Sequence, residues 1–382
     1  MKEKIKILII CDWYEPSYKA GGPIQSCKNL VGALNSYYQF YILTSDRDLG
    51  DAQPYDGIAT DQWLKGENDS RWYASPGFMK LNNFYKLLKD VCPDIVYFNS
   101  MFSQKYTIMP LWALISNRYA GKIIIAPRGM LQAGAMQRKT FKKTIFLRLF
   151  KLMGWNKSIA FHATDEQEKI DILSFFPHQS VIVADNIPGV NKHIKKTRVK
   201  KEGELSAVFI SRIHPKKNLH FILEILKTYN CKGDFLLDIY GEEDDVQYTA
   251  KCKSIAAQLP SNVNVIFNGP LPHNQVFDVL AKHHLFLLPT LGENFGHAIY
   301  EAMSSACPVL ISNKTPWQSL NSQMAGFDIP LDNSSMYEFV IDKFMKMEQK
   351  EYDQWSAGAK KLADQFLQNA DFEKKYKILF GQ

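Results

Sequence analysis

Residues 285–312 read LFLLPTLGENFGHAIYEAMSSACPVLIS. The stretch opens on an apolar run, Leu285–Pro289, with the length and composition of a buried strand. A glycine-containing loop follows, then a helical pattern over Gly296–Ser304, then a second apolar run, Val309–Ser312. Strand, loop, helix, strand in that order is the repeating unit of an α/β fold with a parallel sheet. Glu293 lies in the loop, Gly296 opens the helix, and Glu301 falls on its second turn. The first turn of a helix presents N–H groups without intrahelical acceptors and a partial positive charge. Such a terminus suits a diphosphate, and glycine at 296 lets the backbone come close to it. The flanking carboxylates can accept hydrogen bonds from sugar hydroxyls. Two glutamates at this spacing, taken alone, are equally what an ordinary strand–loop–helix would carry.

The same alternation extends in both directions. Strands are expected at Ile5–Ile10, Phe40–Thr44, Ile95–Asn99, Lys122–Ala126, Ser158–Ala163 and Ser180–Ala184, with helical patterns between them. Continuous apolar strands separated by helices imply parallel sheets covered on both faces. Residues 48–75 are polar, rich in Gly and Asp and without a period, and read as a long loop. Residues 188–204, PGVNKHIKKTRVKKEGE, break the pattern with Pro-Gly and a basic run, as a linker does. Strands resume at Ser206–Ser211, Phe235–Tyr240, Val263–Phe267, Leu285–Pro289, Val309–Ser312 and Gly326–Ile329. The expected organisation is an N-terminal Rossmann-like domain over 1–190, a basic linker over 191–204, a C-terminal Rossmann-like domain over 205–350, and C-terminal helices over 351–382 that pack back toward the first domain. Ligands of such sheets bind beyond the carboxyl ends of the strands, so two facing sheets predict one interdomain cleft.

The 382 residues are ordinary in composition, 46% hydrophobic and 22% charged, which excludes disordered, collagenous and coiled-coil classes. Six scattered cysteines form no CxxC pair, so neither a disulfide scaffold nor a zinc ribbon is expected. The apolar run after the N-terminal lysines stops at Asp12, too short for a signal peptide, and a cytoplasmic location is expected. The net charge of +7 is unevenly placed: no Asp or Glu occurs between Asp94 and Asp165. That stretch holds eleven cations, among them Lys105, Arg118, Arg128, Lys143 and Arg148. A one-sided field of this kind favours an anionic partner.

Glu293 and Glu301, set in ENFGHAIYEAMSSACPVL, resemble the E-x7-E signature of the family 4 retaining glycosyltransferases of GT-B fold. FISRIHPKKNL (209–219) resembles the family's strand with an Arg and a Lys five residues later, here Arg212 and Lys217. EPSYKAGGPIQSCKNL (15–30) resembles its glycine-rich loop, and FHATDEQE (161–168), VADNIPGV (183–190) and TPWQSL (315–320) follow in the family's order. The resemblance covers nearly the whole chain and implies a nucleotide-diphosphate sugar as donor substrate, with no further cofactor and no metal. By the same resemblance Glu293 contacts donor-sugar hydroxyls and Glu301 the ribose. Backbone amides of Asn294, Phe295, Gly296 and His297 bind the diphosphate, and Gly21 and Gly22 lie against the donor. Arg212 and Lys217 neutralise the departing nucleoside diphosphate, which is how paired cations stabilise a leaving anion. The type implied is bacterial capsule or O-antigen assembly, with a glycan acceptor on polyprenyl pyrophosphate; a soluble small molecule or a protein is the alternative acceptor.

One position departs from the family pattern. Many members carry a His at the end of the strand matching DIVYFNS (94–100), where this chain has Asn99, which cannot titrate. Asn99, Arg128 and His162 are the expected acceptor- or sugar-side residues, although His162 could equally be a satisfied structural histidine. Asp46-Arg47-Asp48 is a DxD string, read here as loop or cap duty rather than a metal site. Residues 137–158, QRKTFKKTIFLRLFKLMGWNKS, form a basic amphipathic helix with Phe141, Ile145, Leu149 and Leu152 near one face. Either that face packs into the core, or it meets the inner membrane surface, which would make the protein peripheral on the cytoplasmic side. Nucleic-acid binding by residues 105–157 is the alternative of another class; no recognised binding motif is present, and nucleic acid is not an expected partner.

Overall fold

The structure is a computed structural model that describes residues 3–132, 136, 140–189, 198–229 and 232–381. Two compact units divide it: residues 1–187 together with 371–382, and residues 188–370.

In the first unit the strands are β1 (Ile5–Ile10), β2 (Tyr38–Ser45), β3 (Trp63–Lys65), β4 (Asp69–Ala74), β5 (Ile95–Phe98), β6 (Lys122–Ile125), β7 (Ala160–Ala163) and β8 (Val181–Val183). Its helices are α1 (Gly22–Leu34), α2 (Leu81–Val91), α3 (Met109–Ser116), α4 (Thr140–Leu152) and α5 (Glu166–Phe175). The sheet order is β3-β4-β2-β1-β5-β6-β7-β8, parallel except for the β3–β4 pairing. Along β1, Leu8 and Ile10 join one apolar cluster, and Ile7 and Ile9 the other. Both faces are thus covered, which is why the strand reads as an unbroken apolar run.

In the second unit the strands are β9 (Glu204–Ile210), β10 (Asp234–Tyr240), β11 (Val263–Gly269), β12 (Leu285–Leu288), β13 (Val309–Ser312) and β14 (Gly326–Ile329). The helices are α6 (Leu219–Thr228), α7 (Val246–Ala256), α8 (His273–Leu280), α9 (His297–Ser304), α10 (Ser334–Lys346) and α11 (Gln349–Asn369). All pairings are parallel, in the order β11-β10-β9-β12-β13-β14. Renumbered within the unit this is 3-2-1-4-5-6, the dinucleotide-fold order, which reverses direction between β9 and β12. The first sheet reverses in the same way between β1 and β5.

Three departures from the sequence expectation have physical causes. First, residues 48–75 are not a long loop: β3 and β4 lie there, and β4 pairs with β2 from Phe40↔Asp69 to Ser45↔Ala74. Polar residues mask these strands, but Trp63 packs edge-on against Tyr41 and Trp72, at 5.3 and 5.4 Å. Asp69 accepts from Tyr14 and Arg71, at 2.8 and 2.7 Å. Second, the linker is not uniformly solvated. Its residues 191–197 lie outside the described ones, but Arg198 donates to the carbonyls of Leu280, Ser305 and Ala306. Lys200 donates to the carbonyls of Lys201, Met345 and Met347. Most of these carbonyls belong to helix C-termini, which lack intrahelical donors and carry partial negative charge, so cations suit them. Third, the terminal helices separate: α11 stays with the second unit, and α12 (Phe372–Phe380) belongs to the first. Tyr376, Leu379 and Phe380 join the cluster of Ile7, Ile9 and Cys27.

Of the basic segment, Thr140–Leu152 is α4, and the helix expected to run to 158 ends there: Gly154 turns left-handed (φ 69°) and Trp155–Ser158 is a 3-10 turn, whereas 137–139 lie outside the described residues. The core side of α4 is Leu147 and Phe150; Phe141, Ile145, Leu149 and Leu152 are exposed. The expectation that this second set could pack into the core is therefore overturned. Among the described residues no helix is long and apolar enough to cross a membrane.

Candidate active site

At the strand-order reversal of the second sheet, the loops after β9 and β12 leave in opposite directions, opening a crevice at the carboxyl ends. After β9 comes His214, whose Nδ1 accepts from the Lys216 amide at 3.0 Å and caps a 3-10 turn over Pro215–Lys217. The loop after β12 is tied to that turn: Leu291 N–H and Thr290 Oγ1 both donate to the Lys216 carbonyl, at 2.8 and 3.1 Å. From the other side Glu293 N–H donates to the carbonyl of Lys314 at 3.0 Å. Lys217 and Glu293, 76 residues apart in sequence, thereby meet: Nζ lies 2.6 Å from Oε1, and their side chains are 17% and 12% exposed.

The electrostatics of this pair are set by its neighbours. Burial pushes the Glu293 carboxyl up, but the Lys217 ammonium, its hydrogen bond, Lys216 and the Thr290 hydroxyl outweigh it, and the net shift is downward. Glu293 is a carboxylate at neutral pH, able only to accept hydrogen bonds. Burial lowers the Lys216 pKa, Glu293 opposes, and the neighbouring Lys217 and Arg212 lower it further. Lys216 thus joins the expected cations. Sequence reasoning passed over it, although it is the first of two consecutive lysines. Arg212 is half-exposed and pairs with Asp244, Nη1 to Oδ2 at 3.0 Å, rather than with Glu293.

Beyond Glu293 the chain turns into α9. Gly296 occupies the left-handed region (φ 78°, ψ 61°) at the helix N-cap, where a Cβ would stand 2.8 Å from Ile299 Cδ1. Phe295 is buried, and its carbonyl accepts from Trp317 Nε1 at 2.6 Å. The ring of His297 packs edge-on against Phe295 at 4.8 Å, and Asn294 is half-buried beside it. Glu301 is buried on α9 and lies 2.8 Å from His273 Nε2 at the start of α8. The site therefore offers two acceptor carboxylates flanking a helix N-terminus, with Lys216 and Lys217 on the facing turn and Arg212 ahead of it, paired with Asp244.

The first unit brings Asn99, Arg128 and His162 into one network. His162 is fully buried, and Nε2 lies 2.8 Å from the Ala184 carbonyl. A carbonyl only accepts, so Nε2 carries the proton and Nδ1 accepts from Tyr97 O–H at 2.7 Å. The Tyr97 oxygen accepts in turn from Arg128 Nη2 at 2.8 Å. Arg128 Nε donates to Asn99 Oδ1 at 2.7 Å, and Nη1 donates to Asn186 Oδ1. Asn99 Nδ2 donates to the Pro23 carbonyl at 3.0 Å, tying β5 to the start of α1. Burial first, then the Arg128 charge, lower the His162 pKa to about 3. His162 is a satisfied structural histidine and meets no open surface, a correction to its sugar-side expectation.

Gly21 (φ 69°) is the N-cap of α1, and Gly22 is its first residue. Asp48 Oδ2 accepts from the Tyr18 amide at 2.9 Å and the Lys19 amide at 3.3 Å, so this half of the DxD string fixes the glycine loop. Asp46 pairs with Arg47, and Lys19 with Asp51 at 2.6 Å. Asp12, just beyond β1, faces the residues beyond β5: its carboxylate accepts from Ser103 Oγ at 2.6 Å and Ser100 Oγ at 3.3 Å. Burial raises its pKa against those hydrogen bonds. Sequence reasoning missed Asp12, whose signal was its position at a strand end beside the order reversal.

Residues 190–362 match the family described as Glycosyl transferases group 1. A probable sucrose-phosphate synthase of Thermosipho melanesiensis is 30% identical over 129 residues, which span 32% of this chain and only 30% of that relative's length. A sucrose-phosphate synthase from Thermosynechococcus elongatus superposes with a TM-score of 0.71 at 13% identity, over 99% of both chains. HepE of Anabaena in complex with UDP-glucose gives 0.69 at 14%, over 99% of this chain and 100% of that one. WaaG, a glycosyltransferase involved in lipopolysaccharide biosynthesis, gives 0.65 at 16%, over 98% and 100%. At these identities the likeness is one of fold: two Rossmann-like α/β domains of the GT-B kind. Within it, the stretch 190–362 that matches the glycosyl transferases group 1 family holds Lys217, Glu293 and Glu301.

Proposed function

We propose that the protein transfers a sugar from a nucleoside-diphosphate sugar to a lipid-linked glycan, with retention of configuration, in surface polysaccharide assembly. The observation that carries the reading is the Lys217–Glu293 pair at the strand-order reversal, beside the glycine-capped start of α9. Glu293, ionised, accepts hydrogen bonds from donor-sugar hydroxyls. Glu301 takes the ribose, and the amides from Asn294 to His297 hold the diphosphate. As the sugar–phosphate bond breaks, its electron pair stays on the phosphate oxygen, and Arg212, Lys216 and Lys217 offset the charge. Three side-chain cations supply what a metal would otherwise supply. The acceptor oxygen bonds to the anomeric carbon, and its proton passes to the departing phosphate, so no protein base is required. That suits a first unit whose candidate histidine is shut away and whose Asn99 and Arg128 engage each other.

In this reading the second unit binds the donor and the first unit the acceptor, at the cytoplasmic face of a membrane. The acid-free stretch 95–164 favours a pyrophosphate-bearing lipid. The stretch shared with a probable sucrose-phosphate synthase favours a second reading, transfer to a soluble sugar phosphate. A panel of UDP-, GDP- and ADP-sugars, screened by thermal shift and then by product NMR, tests both. Stabilisation by one donor and an α-configured product from an α-configured donor are expected. Failure of every nucleotide sugar to bind overturns the reading, and turnover with a soluble acceptor alone selects the second one.

A further inference from the structure

Helix α4 (Thr140–Leu152) has two apolar sides, and the fold uses only one. Leu147 and Phe150 enter the core, and Phe146 packs on Phe102 and Phe150 at 5.6 and 5.5 Å. On the other side Phe141 is 77% exposed, Ile145 41%, Leu149 50% and Leu152 82%, and Met153 just beyond the helix is 54% exposed. At ~100° per residue these five fall within about 120° of arc. They form a continuous stripe, not scattered surface apolar groups, and a stripe of this kind marks an interaction site.

Cations border it. Arg148 and Lys151 are exposed on the same helix. Lys143 Nζ sits 5.2 Å above the Phe102 ring, and Lys151 Nζ sits 5.4 Å above that of Phe176. The neighbouring sequence offers no carboxylate from residue 95 to residue 164. The geometry points to an anionic lipid bilayer as the partner of this face: we propose that α4 lies in the headgroup layer with the stripe inserted and the cations on lipid phosphates.

The chemistry distinguishes this partner from others. A second copy related by a two-fold axis would bring the Arg148 and Lys151 rims of the two stripes together, like charge against like. A nucleic acid would use the cations and could stack a base on Phe141, but it would leave Ile145, Leu149, Leu152 and Met153 in water. A short apolar stripe alone binds membranes weakly, and so does a basic patch alone; together they suffice for reversible attachment.

The test is co-sedimentation of the full chain, with no donor or acceptor present, on phosphatidylcholine vesicles with and without phosphatidylglycerol. Binding to the anionic vesicles is expected, at least about tenfold weaker on neutral ones and weakened by salt. Leu149→Gln/Leu152→Gln should lose about tenfold or more of it, and so should Arg148→Glu/Lys151→Glu. Both pairs are exposed, so melting curves should match the parent chain and exclude misfolding. The proposal falls if the chain ignores anionic vesicles, or if either variant binds them like the parent. It falls equally if sedimentation velocity shows a dimer that Leu149→Gln/Leu152→Gln dissolves, or if RNA displaces the vesicles. None of these outcomes depends on whether a nucleotide sugar is turned over.

Discussion

Replacing Lys217 by Met separates the two duties of the Lys217–Glu293 pair. The change keeps the volume and apolar stem but leaves Glu293 beside only Lys216 and Thr290. An exposed ion pair is worth ~0–1 kcal/mol, and breaking a fully buried one costs ~3–5 kcal/mol. At 17% and 12% exposure, with Lys216 still close, the pair falls between, and a loss of about 2 kcal/mol is expected at pH 7. The pH dependence follows from the direction of the shift. In the parent chain the Glu293 carboxyl is held below its ordinary value, so the pair adds stability above the ordinary carboxylate pKa and loses it as pH falls through the lowered one. In the variant burial acts with less opposition, and the carboxyl rises. The difference between parent and variant is therefore widest at neutral pH and closes below about pH 4. Chemical denaturation followed by far-UV circular dichroism measures it. In a cycle with Glu293→Gln, the coupling should be about 1–3 kcal/mol. Transfer itself should fall ~10²–10³-fold in kcat, the cost of losing one donor to a developing oxyanion. A coupling under ~0.3 kcal/mol, or a penalty as large at pH 4 as at pH 7, refutes the electrostatic account.

Other consequences can be measured independently. Gly296→Ala puts a Cβ 2.8 Å from Ile299 Cδ1 at φ 78°, and should cost at least ~1 kcal/mol and raise the donor Kd; an unchanged Kd by calorimetry would count against α9 as the diphosphate seat. Arg128→Met strips Asn99, Asn186 and Tyr97 of their donor and should destabilise the first unit by ~2–4 kcal/mol, read as a lowered Tm. His162, with a pKa of about 3 when folded, binds a proton in the unfolded chain first, so stability should be lost as pH falls from about 6.5 toward 3. By NMR its ring should stay neutral through pH 5; a midpoint near 6.5 would show the network to be open.

Much of this was legible in the residues. The apolar runs at 5–10, 309–312 and 326–329 coincide with β1, β13 and β14, because strands covered on both faces have no polar alternation to blur them. Glycines at 21 and 296 stand at helix N-caps that take a positive φ. The hairpin of β3 and β4 was not legible, since its cohesion comes from Asp69 pairing with distant Tyr14 and from Trp63 meeting Tyr41. In the site, the meeting of Lys217 with Glu293 follows from motif order, but the turn of Arg212 toward Asp244 is a matter of rotamer and neighbour. The partners of Arg128 likewise come from two separate strand ends, those of β5 and β8, and no spacing in the sequence announces them. Arg198 and Lys200 read as linker charge, because nothing local shows that helix C-termini await them.

The affiliation of α12 with the first unit bears on how the protein is made. Residues 188–370 are contiguous and can fold as soon as they leave the ribosome. The first unit is synthesised earlier but is finished later. Its cluster of Ile7, Ile9, Cys27 and Tyr97 lacks Tyr376, Leu379 and Phe380 until residues 371–382 have been translated. Until then an apolar patch at the heart of the oldest part of the nascent chain stays open to water and to holdases. The chain thus delays completing its first-made half until the second has been read out, and a stop codon at residue 371 would leave the second unit whole and the first without its last helix.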